Sequence, residues 1–137
     1  MAKILIVDDD CDSRDVLREY LTAYGHSVEC VGDGQAAVAS VISDLADVIV
    51  LDLHMPGMDG ADFLQVLRSY SRIRRTPVII WTGAPDGPLL ARAGKLGIHA
   101  VCVKSHTPLS EIRLIIEQAS PPNPDQPQAW RPGPPEF

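Results

Sequence analysis

Four short apolar runs in this chain end at residues able to do chemistry. Val48, Ile49, Val50 and Leu51 stop at Asp52, and a loop carrying Pro56, Gly57, Asp59 and Gly60 follows. KILIV, at residues 3–7, runs into Asp8, Asp9 and Asp10. VIIWT, at 78–82, ends in the hydroxyl of Thr82, and AVCV, at 100–103, is followed by Lys104. Continuous runs of this kind, bounded by turn residues, read as strands buried on both faces of a parallel sheet. In an open parallel sheet, chemistry collects in the crevice at the carboxyl ends of the strands. Asp52 stands at such an end and is the foremost candidate carboxylate.

If strand one lies between strands two and three, Asp8, Asp9, Asp52, Thr82 and Lys104 converge at the topological switch point. Carboxylates gathered there repel one another, and a hard cation with oxygen ligands relieves the repulsion. Mg²⁺ suits, because it uses only one or two carboxylates and keeps waters and a phosphate oxygen in its other positions. A hydroxyl and an ammonium beside that cation complete a phosphoryl cradle. Phosphoryl transfer needs mainly positioning and charge neutralisation, and this set supplies both.

The elements that must position these residues follow from the pattern. Between strand one and a second strand at 27–31, Val16, Leu17, Tyr20, Leu21 and Tyr24 recur at helical spacing, and Gly25 stops the helix. Asp33-Gly34 opens a helix to about Ser43 with Ala37, Val38, Val41 and Ile42 inward. Strand three spans 47–52. Asp59 reads as the cap of a helix carrying Phe63, Leu64, Val66 and Leu67, in preference to a metal ligand. Thr76-Pro77 precedes strand four, and a weaker helix from Asp86 to Leu96 ends at Gly97, placed as a left-handed cap. After strand five, Thr107-Pro108 starts a helix through Ile112, Leu114, Ile115 and Ile116 to about Ala119. Five alternations of strand and helix predict an α/β fold with one doubly wound parallel sheet covered by helices on both faces.

The 137 residues fit one domain, at 1–119, and a proline-rich stretch at 120–137 that reads as a disordered tail or linker. Its PxxP spacings, Pro124 to Pro127 and Pro132 to Pro135, are ordinary in such a composition. The final Glu136-Phe137 reads equally as a cloning remnant or a truncation point. A net charge of −6 argues against a nucleic-acid surface, and Arg72, Arg74 and Arg75 read as a solvated loop. No apolar stretch is long enough to span a bilayer, and the N-terminus is not a signal peptide. Cys11, Cys30 and Cys102 lack ligand spacing and read as reduced thiols, which points to the cytoplasm. His26, His54, His99 and His106 also lack ligand spacing and read as surface or loop residues, and Trp81 as a core aromatic.

Taken together, ILIVDDD, LDLHMPGMDG, VIIWTG and VCVK, in that order and spacing, make residues 3–119 resemble the receiver domain of bacterial two-component response regulators. The resemblance implies a flavodoxin-like sheet of five parallel strands in the order 2-1-3-4-5 with five helices. It implies that Asp52 accepts a phosphoryl group from the phosphohistidine of a histidine kinase or histidine phosphotransfer protein. It further implies that Asp9 and Asp52 ligate Mg²⁺ directly, that the backbone carbonyl of His54 joins them, and that Asp8 acts through water. Thr82 and Lys104 would bind phosphoryl oxygens. Such a protein assists its own phosphorylation without turning over an external substrate, and signals through a downstream protein.

Other readings stay open on the residues alone. Asp8, Asp9 and Asp10 form an acid cluster that a helix dipole would favour. A phosphatase of the haloacid dehalogenase type would use Asp8 and Asp10, but expects Gly-Thr where Cys11-Asp12 stand. A flavodoxin-like binder would offer hydroxyls to a phosphate where this chain has three aspartates, and an unphosphorylated scaffold would have no need of intact acids. Three positions depart from the receiver pattern: Ser105 replaces the proline after the lysine, Val101 an aromatic residue, and Gly83 an alanine. Since a cis bond before a non-proline residue is costly, the Lys104–Ser105 peptide is expected to be trans and Lys104 less firmly held. Val101, short and stiff about χ1, is expected to weaken coupling through the face of helix four, strand five and helix five. That leaves loop order or helix one to carry the signal.

Overall fold

A computed structural model of the chain describes residues 2–70, 75–85 and 87–120. Its elements are β1 (Lys3–Val7), α1 (Cys11–Ala23), β2 (Ser27–Val31), α2 (Gly34–Ser43), β3 (Val48–Leu51), α3 (Gly60–Ser69), β4 (Val78–Thr82), α4 (Pro88–Leu96), β5 (Ala100–Val103) and α5 (Leu109–Ala119). All strand pairs are parallel, and the sheet order is β2-β1-β3-β4-β5, as expected. The expected tail beyond residue 120, Arg72 and Arg74 of the basic run, and the Asp86 start of α4 lie outside the described residues.

Alternation along the central strands divides the core. Leu5, Val7, Ile49, Leu51, Val78 and Ile80 face α2, α3 and α4, where Ala37, Phe63, Leu64, Leu67 and Ala93 meet them. Ile4, Ile6, Val48, Val50, Ile79 and Trp81 face α1 and α5, where Leu17, Leu21, Ile112 and Ile116 complete the second layer. Burial on both faces is why these strands read as unbroken apolar runs. The central three strands are thereby fixed, and residues just past their ends inherit that rigidity.

Some helix faces are narrower than the sequence suggests. Val16, Tyr24, Ile42 and Leu114 are exposed. Each lies at the margin of a stripe whose centre, such as Leu17 and Leu21 on α1, is fully buried. The edge strands β2 and β5 are likewise only partly covered.

His26 overturns its expectation as a surface or loop residue. It is only 7% exposed, with Nδ1 accepting from the Ala2 amide at 3.0 Å and Nε2 lying 2.8 Å from Glu117 Oε2. The turn at Gly25 (φ 91°) returns the chain beneath α5, where these two partners satisfy both ring nitrogens. An Nδ1 that accepts makes Nε2 the donor to Glu117.

Candidate functional site

The carboxyl ends of β1, β3, β4 and β5 lie at one edge of the sheet, and their following residues meet there. Asp52 follows β3, is 7% exposed, and donates its amide to Val7 O in the β1 ladder at 2.9 Å. Its Oδ1 accepts from the His54 amide at 3.3 Å, and its Oδ2 lies 3.4 Å from Lys104 Nζ. Asp8, at 1% exposure, donates its amide to Val31 O at 3.1 Å and accepts from the Asp10 amide at 2.9 Å. Lys104 Nζ lies 2.7 Å from Asp8 Oδ2, an ion pair by distance, although that oxygen has no aligned hydrogen bond among the described residues.

The loop after Asp52 is shaped by glycine. Gly57 takes φ 74°, in the left-handed region where glycine carries no steric cost. Gly60 opens α3 directly against the Asp52 backbone, and any Cβ there would collide with Asp52 O and Leu53 Cα. Asp59 caps α3 in a reciprocal capping box with Asp62, so it serves the helix and not the cluster. Asp10 likewise caps α1, accepting from the Asp12 amide at 3.1 Å and the Ser13 hydroxyl at 2.8 Å. The Ser13 bond holds the Asp10 carboxyl below its ordinary range.

Burial pushes the Asp8 carboxyl up to about 6, against the lowering pull of Lys104 and the Asp10 amide, and nearby Asp52 pushes it further up. For Lys104, burial works against the charged form, but the two carboxylates outweigh it and the ammonium is held above its usual range. One cation therefore already serves two buried acids.

Asp8, Asp9 and Asp52 each offer an oxygen within 4.8 Å of the others. Asp9 is exposed, and its carboxylate has no hydrogen-bond partner among the described residues. A set of hard oxygen donors, like-charged and drawn together, fits a small divalent cation. The donor chemistry suits Mg²⁺.

Thr82 is fully buried at the end of β4, and its hydroxyl donates to Ala84 O at 3.3 Å while accepting from the Ala84 amide at 3.1 Å. The Lys104–Ser105 peptide is trans, as expected. Lys104 itself has both backbone and side-chain partners. Its amide donates to Thr82 O at 2.9 Å, which continues the β4–β5 ladder, and its ammonium is drawn between two carboxylates. Its Nζ also lies 5.3 Å from the ring centroid of Trp81, itself buried in the core as expected. The side chains of His54, His99 and His106 are exposed.

Arg14 escaped the sequence reading altogether, yet its Nη1 donates to Asp8 O at 2.8 Å. A signal existed: a cation within the first turns of a helix opposes the dipole and calls for a particular partner.

The family model described as the response regulator receiver domain matches residues 4–117. A probable chemotaxis protein CheY of Rhizobium etli is 34% identical over 116 residues, covering 84% of this chain and 89% of that protein. The regulatory protein AtoC of Escherichia coli is 32% identical over 117 residues, but this chain spans only 25% of its length. The solved structure of chemotaxis protein CheY4 of Vibrio cholerae superposes with a TM-score of 0.78 at 30% identity, covering 87% of this chain and 98% of that one.

Proposed function

The chain belongs to the response regulator receiver family of two-component signalling, and from that premise we propose that Asp52 is the residue it phosphorylates. The observation that carries this is one of placement. Asp52 is a nearly buried carboxylate at the end of a fully buried strand, held by an amide and an ammonium, within 4.8 Å of two more carboxylates.

In this reading an oxygen of Asp52 attacks the phosphorus of a partner's phosphohistidine. A P–O bond forms, the P–N bond breaks, and its electron pair returns to the imidazole. Asp9, Asp52 and the His54 carbonyl, with Asp8 through water, would hold Mg²⁺, which would supply neutralisation of the charge on the transferring group. Lys104 moves its hydrogen bonding from Asp52 to a phosphoryl oxygen. Thr82 exchanges the Ala84 carbonyl for a phosphoryl oxygen, and the Lys104 ammonium stays over the Trp81 ring. The protein is thus a phosphoacceptor and not a turnover enzyme. Its donor is a histidine kinase or histidine phosphotransfer protein, its output goes to a downstream protein, and its compartment is the cytoplasm. Among the described residues no helix is long and apolar enough to cross a membrane. Residues 1–119 form the receiver unit, and 120–137 a linker or tail.

Output is also proposed to differ from the family pattern. Val101 lies 40% exposed on β5, where the family places an aromatic ring. A β-branched side chain has no second rotamer that would fill a space vacated by Thr82. Coupling through α4, β5 and α5 is weak in this reading, and α1 or the site loops carry the signal. Chemical shifts with and without a phosphoryl mimic check it, and changes on α4 and β5 as large as those around Asp52 would refute it.

The central test is intact mass after incubation with a small phosphodonor and Mg²⁺. One added phosphoryl group is expected, and none in Asp52→Asn. Undiminished labelling of that variant overturns the assignment.

A further inference from the structure

Two loops flank the end of β1, and one side chain joins them. Arg14, just past the first turn of α1, donates Nη1 to the carbonyl oxygen of Asp8 at 2.8 Å. That carbonyl belongs to the peptide linking Asp8 to Asp9. The same guanidinium rests against Gly32, between β2 and α2, where a Cβ would stand 2.6 Å from Nη1. On the other side of Asp8, its amide is tied to Val31 O at 3.1 Å. Both peptide groups of Asp8 are therefore anchored, one by β2 and one by Arg14.

The three clustered carboxylates are not held alike. Asp8 is oriented by the Asp10 amide and Lys104, and Asp52 by the His54 amide and Lys104. Asp9 has no side-chain partner among the described residues. Its direction depends on its backbone, and so on the peptide plane that Arg14 holds. A guanidinium near the positive end of a helix, beside a site suited to a cation, is electrostatically unfavourable on both counts. Its geometric role must outweigh that.

We propose that Arg14 is a positioning residue for the divalent cation: by locking the Asp8–Asp9 peptide it aims the Asp9 carboxylate at Asp8 and Asp52, and Gly32 leaves room for the guanidinium. This rests on the reading of the cluster as an Mg²⁺ site.

Charge and position predict opposite signs, which makes the inference testable. If Arg14 acted only as a nearby positive charge, removing it would tighten cation binding. If it positions Asp9, removing it weakens binding. The experiment titrates Mg²⁺ alone into the full chain by calorimetry, for wild type, Arg14→Ala, Arg14→Lys, Gly32→Ala and Asp9→Asn. Melting in a chelator reports folding. Arg14→Ala is expected to raise the dissociation constant roughly 10–100-fold, the usual cost of losing a partner that orients a metal ligand. Arg14→Lys keeps one donor and the charge, and is expected to recover most of the affinity. Gly32→Ala keeps the charge but displaces the guanidinium, and is expected to weaken binding as Arg14→Ala does. Gly32 is outside the left-handed region, and the atom its Cβ meets is the end of a flexible side chain, so the fold survives.

Arg14→Ala binding as tightly as wild type, or more tightly, overturns the inference, and so does an unaffected Gly32→Ala. If Arg14→Ala fails to fold, Gly32→Ala decides alone. A wild type that binds no Mg²⁺, or an Asp9→Asn variant that binds it as well as wild type, defeats the reading of the cluster itself. A wild type sensitive to Asp9 but indifferent to Arg14 defeats only the positioning role.

Discussion

At the carboxyl ends of the strands, Asp8, Asp9 and Asp52 crowd like charges together, and the ammonium of Lys104 pairs with Asp8 and Asp52. At the amino ends, by contrast, several polar groups of the described residues are paired. His26 bridges Ala2 and Glu117, Arg113 reaches the same glutamate at 3.2 Å, and Arg68 ties the carbonyls of Thr76 and Gly97 at 2.8 and 2.7 Å. The sheet between them is common to both ends, so the difference lies in the residues that follow or precede the strands. One end is satisfied and serves stability. The other keeps a crowding of like charges of the kind a cation relieves, and such departures from internal consistency are expected where a protein functions. Substitutions should therefore separate the two ends, damaging chemistry at one and stability at the other.

The largest effect belongs to Lys104→Ala. Removing a charge-stabilising donor from a phosphoryl site is expected to slow labelling by a small phosphodonor by about 10²–10³-fold. It also leaves Asp8 and Asp52 without the cation between them. Mg²⁺ should then raise the melting temperature of this variant more than that of wild type, since a ligand stabilises the state it binds. Equal labelling rates, or an equal Mg²⁺ response, would erase the contrast between the two ends of the sheet.

Next in size is His26→Ala at the opposite end. It leaves the Ala2 amide without its partner, while Glu117 keeps Arg113, and a buried group so orphaned costs about 1–3 kcal/mol. The labelling rate should be that of wild type once both proteins are folded. Denaturant unfolding measures the first part, mass-detected labelling the second. A variant of unchanged stability but poor labelling would invert the comparison.

Smaller again is Asp10→Ala, whose carboxylate caps α1. Loss of such a cap costs about 1 kcal/mol. Although it adjoins the acid pair, Asp10 should affect stability more than labelling, because its oxygens are spent on Asp12 and Ser13. Unfolding midpoints in a chelator measure it, and labelling reduced as far as in Lys104→Ala would place Asp10 among the reacting groups.

The same contrast explains what was legible in the sequence. Strand ends were readable because parallel strands buried on both faces become unbroken apolar runs, and their termini fall where the first charge appears. Asp8, Asp52, Thr82 and Lys104 all lie at such termini. The capping role of Asp59 was readable for a similar reason, since Asp-Gly before a periodic run is a local signal. His26 was not, because its partners Ala2 and Glu117 are 24 and 91 residues away. Arg14 was hidden differently: its contact is to a backbone carbonyl, which the sequence signals only indirectly, through a cation set against the helix dipole. The margins of α1 and α5 misled because apolar periodicity finds a helix face but not its width, so Val16 and Leu114 were counted with Leu17 and Ile112.

The smallest effect expected is a pH dependence at the satisfied end. Burial tends to raise the Glu117 carboxyl, but hydrogen bonds from His26 and Arg113, and the charge of Arg113, outweigh it and lower it below its usual 4.5. The groups facing it are His26 ahead of β2, Arg113 on α5 itself, and, through Arg113, Tyr20 of α1. A carboxyl lowered in the folded state contributes stability that is fully present above its unfolded value. That contribution is lost as pH falls through the folded one. Wild type should thus lose stability below about pH 4.5 more steeply than Glu117→Gln, which has no such proton to bind. Because this side chain is about a third exposed, screening keeps the difference under about 1 kcal/mol. Melting temperatures of the two proteins between about pH 5 and pH 3 measure it, and parallel curves across that window would mean that Glu117 is no more than a surface charge.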